Sequence, residues 1–147
     1  MGANKKRFAF FVMLVCVALA AVSVFIAQDP PMRPIINRTS DNSSVSINHV
    51  IYNGEDVTER LDHDALIELL VATMSRRDGV FGGYLAADVL WEINLVHGGR
   101  PQHILLSRPD ASQELNFWHE SADGRIYRIL DPAALADVLG QMLSEPT

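Results

Sequence analysis

DVLWEINLVHGGRPQHILLSRPDASQELNFWHESADGRIYRIL, residues Asp88 to Leu130, decides the fold. Val89, Trp91, Ile93 and Leu95 alternate with Leu90, Glu92, Asn94 and Val96, which is the period of a strand. Gly98-Gly99 breaks that run as a hairpin turn does. Gln102 to Ser107 is the return strand, with Ile104 and Leu106 on one face. Pro109-Asp110 marks the next turn. In the third strand Leu115, Phe117 and His119 share one face, and Asn116 and Trp118 the other. Asp123-Gly124 is a type I′ signal, and Arg125 to Leu130 forms the fourth strand. Apolar residues fall on both faces of the last two strands. Either the sheet is covered on both sides, or one face carries a binding surface.

Outward from this meander, helices flank the sheet. Asp131-Pro132 opens the last one as N-cap and first-turn proline, and Leu135, Val138, Leu139 and Met142 make its stripe. Upstream, Asp62 caps a helix whose face is Leu66, Leu69, Leu70, Thr73 and Met74, closed by Arg76 and Arg77. His49 to Tyr52 is a short β-like run before the Asn53-Gly54 turn, and Val57 to Leu61 returns from it. The expectation is an α+β domain over residues 49–147, in the order (β)-α-β-β-β-β-α. It has about four main antiparallel strands with both helices on one face. Asp78 to Tyr84, with three glycines, reads as a flexible connection. A phosphate loop would need a lysine after it and a strand before it.

Phe8 to Ala27, FAFFVMLVCVALAAVSVFIA, carries no charge. At about 1.5 Å per residue, a helix of this length matches a bilayer core of about 30 Å. Lys5, Lys6 and Arg7 precede it, so the positive-inside rule places residues 1–7 in the cytoplasm and the remainder outside. Cleavage after Ala20 is the alternative, leading to secretion, but it leaves AVSVFIA as an apolar tail. Lipoprotein processing at Cys16 is disfavoured by the bulk of Val15 and by the depth of the cysteine in the run. Residues 28–48, rich in Pro, Ser and Asn, read as an extracytoplasmic linker. Asn37-Arg-Thr39 and Asn42-Ser-Ser44 match the glycosylation pattern, which is common in such composition. The layout of anchor, tether and compact head resembles that of small membrane-tethered bacterial proteins. That resemblance covers no motif and transfers no residue.

Of 147 residues, 48% are hydrophobic and the net charge is −6. That content supports a folded core and argues against a nucleic-acid partner. Both lysines precede the apolar run, and beyond it nine Arg face eighteen Asp and Glu. One cysteine excludes an internal disulfide and a cysteine-based zinc site.

The chemical signals are sparse. His103 and His119 fall on neighbouring strands, with Glu114 or Glu120 as further metal-ligand candidates. Consecutive strand residues such as His119 and Glu120 point to opposite faces, however. The same register sets His119 opposite Arg128. Ser107, Ser112 and Ser121 lie outside any nucleophile-elbow context. No motif calls for a cofactor or a catalytic step. Trp118, Tyr127, Arg128 and His119 form the candidate recognition surface, because aromatics and Arg are interface anchors. The expected function is a non-catalytic, single-pass membrane protein of a bacterial cell envelope. Its outer domain would be a sensor, accessory or inhibitor subunit binding a membrane or surface protein. An assembly factor acting through its membrane helix is one alternative, and a small envelope hydrolase is another.

Overall fold

The computed structural model describes residues 30–38, 44–80, 82–121 and 124–144. The chain divides after Pro30, and the fold below is that of the second unit. The apolar run Phe8 to Ala27 and its membrane reading lie outside the described residues. Among the described residues, no helix is long and apolar enough to cross a membrane.

The elements are β1 (Met32–Pro34), β2 (Val45–Tyr52), β3 (Glu55–Asp56), α1 (His63–Ala72), β4 (Met74–Val80), β5 (Val89–His97), β6 (Arg100–Ser107), β7 (Phe117–Glu120), β8 (Arg125–Ile129) and α2 (Pro132–Ser144). Short 3-10 turns occupy Thr58–Arg60 and Ala86–Asp88. All eight strands join one sheet in the order β1-β4-β8-β7-β6-β5-β2-β3. Every neighbouring pair is antiparallel.

This corrects the expected four-stranded sheet. The meander β5 to β8 is present, but it is the centre of a sheet twice that size. Two strands were hidden by composition, and a third lies earlier than expected. Met74-Ser-Arg-Arg-Asp-Gly-Val80 reads as the charged end of a helix, yet α1 stops at Ala72 and β4 begins at Met74. Two of its polar side chains, Ser75 and Asp78, find partners on other strands. The buried Ser75 donates to Arg33 O at 2.9 Å and accepts from Trp118 Nε1 at 2.9 Å. The linker reading fails at Met32 to Ile36. Met32–Pro34 is the edge strand beside β4, and Ile35 and Ile36 are 1% and 0% exposed in the core. Ile35 N donates to Thr73 O at 3.0 Å, which ties this segment to the end of α1. The second hairpin strand is Glu55–Asp56, and the first turn of 3-10 helix already begins at Thr58.

The Asn53-Gly54 and Gly98-Gly99 turns have positive φ at both central residues (52° and 85°, 56° and 75°), the geometry that matches strand twist. Asp62 caps α1, its carboxylate accepting from Asp64 N and Ala65 N. Asp131 accepts from Ala134 N at the start of α2. Leu66 and Leu70 of α1 and Leu135 and Leu139 of α2 share one buried cluster with Val50, Trp91, Ile93, Leu95, Ile104, Leu106, Trp118, Tyr127 and Ile129. Cross-strand register puts Val50, Ile93, Ile104, Trp118 and Tyr127 in one row on this face. Both helices therefore cover the same face, and the opposite face is left to a loop.

Candidate functional site

The ladder also settles which face each expected recognition residue occupies. Trp118 and Tyr127 are directly paired on the helix-covered face. Trp118 is 0% exposed, so it is a core residue and presents no surface. His119 and Arg128 point to the other face. His119 pairs with Ile126 and Arg128 with Phe117, because the connection between β7 and β8 is longer than a two-residue turn. The four residues are therefore not one surface.

The opposite face carries a different constellation. His49, Asn94, His103, His119 and Ile126 form one cross-strand row. Ile51, Glu92, Leu105, Phe117 and Arg128 form the next. His103 Nε2 lies 2.8 Å from Glu92 Oε1, and Asn94 Nδ2 donates to the same oxygen at 3.2 Å. The His103 and His119 rings meet edge to face at 5.2 Å between centroids, and His119 is buried against Phe117. The Tyr84 ring lies 6.1 Å from that of His103. Burial raises the pKa of the Tyr84 hydroxyl above its ordinary value, and the Glu92 carboxylate adds to the effect.

The segment between β4 and β5, read as a plain connection, crosses this face. Tyr84 packs with Val89, Leu105, Leu115 and Phe117 in a small second cluster. Asp88 pins the end of the segment: it accepts from Ser112 N at 3.3 Å and Ser112 Oγ at 2.8 Å, and its carbonyl accepts from Arg108 N. Beside the segment opens a concavity of about 320 Å³ lined by Asp78, Gly82, Gly83, Gln113, Glu114, Asn116, Phe117, Ile126 and Arg128. Phe117 and Ile126 supply its apolar lining. Arg128 donates from Nε and Nη2 to Asp78 Oδ2 at 3.1 and 3.0 Å. Asp78 is the extra residue of a bulge between Arg77 and Gly79. Asn116 accepts from Ser107 N and donates to Glu114, which orients that carboxylate.

The site thus offers an aromatic and an aliphatic contact between two carboxylates and a guanidinium. Asp78, Phe117, Asn116 and Ile126 were missed as site residues. The signal for them was weak: three glycines after Asp78, and an apolar residue facing away from Trp118. The metal candidates separate as strand alternation requires. His119 faces His103, whereas Glu120 pairs with Gln102 and lies by Arg33 and Arg100. Among the described residues, no group of three His, Cys, Asp or Glu side chains is arranged to hold a metal ion. Comparison with family models, with curated proteins and with solved structures gives no match.

Proposed function

We propose that this chain is a non-catalytic, membrane-anchored extracytoplasmic binding protein, and that the sheet face opposite the helices is its recognition surface. The observation that carries this reading is the concavity beside Phe117, Ile126 and Arg128, which lies open among the described residues. Its size suits one or two side chains of a protein partner. Its mixed charge and aromatic floor are the composition of an interface anchor point. The uncharged run Phe8 to Ala27, with its basic start, supports the anchored state. The partner is accordingly a membrane or surface protein, which the chain serves as sensor, accessory or inhibitor.

The test is a photo-crosslinking residue at Gln113, on the rim, in the full chain in intact membranes. A defined crosslinked partner is expected, and Phe117→Ala or Arg128→Glu reduces its yield at least tenfold at equal protein level. A yield unchanged in both variants overturns the site. Exchange of residues 8–27 for an unrelated span separates this reading from an assembly role: capture survives the exchange if the head binds.

The His103–Glu92 contact favours one second reading, acid–base chemistry by a carboxylate-oriented imidazole. A hydrolase of this kind loses turnover in His103→Ala without a lower melting temperature. Partner capture through Phe117 is untouched by that substitution.

A further inference from the structure

Two grooves flank the first turns of α2. One, of about 320 Å³, is lined by Leu69 of α1, Met74 of β4, Leu130, and Ala134 and Val138 of α2, with Asp131 as its one charged residue. The other, of about 520 Å³, opens between α2 and the β6–β7 connection, over Leu90, Leu106, Pro109, Ala111 and Ala136. Met74, Leu130 and Val138 are 40%, 43% and 37% exposed, three of the five large apolar side chains exposed among the described residues. Singly exposed apolar residues need no explanation, whereas their gathering in one place marks an interaction surface.

The charge on this surface is mostly of one sign. Asp131, Asp137 and Glu114 line the two grooves, against the single guanidinium of Arg108. Asp131 accepts from Ala134 N and Glu114 from Asn116 Nδ2, while Arg108 Nε donates to Ala87 O. Among the described residues, no Arg or His forms an ion pair with any of the three carboxylates. Pro132–Ser144 itself contains no Lys or Arg. A cationic occupant is therefore complementary. A second copy of this chain would set the same three carboxylates against each other across a two-fold axis, which opposes self-association here. The strands that reach the surface, β4, β6 and β8, each have a neighbour on both sides, so an extended segment finds no free ladder. A helix satisfies its own backbone and binds through side chains alone.

We infer that the grooves beside α2 dock a basic amphipathic helix of a protein partner. Its apolar side chains enter beside Leu130 and Val138, and its Lys or Arg side chains meet Asp131, Asp137 and Glu114. This is a second contact area of the domain, beyond the Phe117 concavity, with which it shares Glu114 and Asn116.

The probe is a leucine–lysine peptide with its leucines at helical spacing, added to the full chain in a nonionic detergent. A benzophenone side chain at Gln141, exposed one turn beyond Val138 on α2, reports docking as peptide crosslinked at that position. A crosslinked peptide is expected. Asp137→Lys is expected to lower the yield at least threefold and Leu130→Glu at least tenfold, each at an unchanged urea midpoint. Asp137 is exposed, so its substitution leaves the packing alone. A yield unchanged in both variants overturns the inference. Equal yield from a leucine–glutamate peptide overturns the charge complementarity and the inference with it. Equal yield from a lysine–serine peptide overturns apolar docking in the same way. Chain-to-chain crosslinks at Gln141 without peptide also overturn it, making the surface an interface between copies.

Discussion

The Trp118 indole lies flat on the Tyr127 ring, with centroids 4.3 Å apart and 14° between planes, and its Nε1 donates to the buried Ser75 Oγ. This stack joins β7 to β8, and the hydrogen bond carries the link to β4, one strand beyond. Truncation removes a fully buried ring and leaves a cavity, so Trp118→Ala is expected to cost about 3–5 kcal/mol. Urea unfolding of the purified chain measures it. A change below about 1 kcal/mol contradicts a core role for this residue.

Ser75 tests the same link from the other side. Ser75→Ala leaves the buried indole N–H and the Arg33 carbonyl without their hydroxyl partner, a loss of about 1–3 kcal/mol. The indole contribution is isolated in Trp118→Phe, which keeps the stack and drops the donor. In the double variant the two losses are expected to add to less than their sum, because both delete one bond.

These two residues also show how far the sequence could be read. The meander from Val89 to Ile129 was legible because alternation and turn residues are local signals. So were the caps Asp62 and Asp131, which act within their own first turns. β4 was not, since Ser75, Arg76 and Arg77 carry no apolar period, and their strand state is imposed by β8 and β1 on either side. Ile35 and Ile36 were lost in a polar stretch for the same reason: two residues make no pattern, and only α1 and β4 give them somewhere to pack. The site followed the register. Once the β7–β8 connection is two residues longer than a tight turn, His119 faces Ile126, and Phe117 stands beside Arg128. A shift that size keeps every side chain on its face but changes its neighbours.

Acid titration addresses the β2–β3 end. Asp56 has its pKa lowered, first by the hydrogen bond from the Thr58 hydroxyl, then by that from Thr58 N, with His49 contributing less. A carboxylate with a depressed folded pKa favours the fold above its unfolded pKa and loses that contribution as pH falls through the folded value. The Asp56 carboxyl resonance is therefore expected to titrate below 3.8. Thr58→Val raises its midpoint toward the ordinary range. A midpoint unmoved by that substitution refutes the assignment of cause.

Alkaline titration addresses the loop across the open face. Tyr84 has a raised pKa, from burial first and the Glu92 carboxylate second. Its neutral form is the one the fold favours, so this contribution is complete below the unfolded tyrosine pKa and disappears as pH rises through the folded one. Difference absorbance of phenolate formation, with Tyr84→Phe to identify the signal, is expected to show Tyr84 ionising above ordinary tyrosine. Glu92→Gln removes a like charge and brings the midpoint part of the way back, whereas burial keeps the remainder. Should Glu92→Gln lower it fully, burial is not the main cause, and the segment over His103 stands open to water. Should it leave the midpoint in place, the carboxylate is not coupled to Tyr84, and the His103–Glu92 pair acts apart from the loop above it.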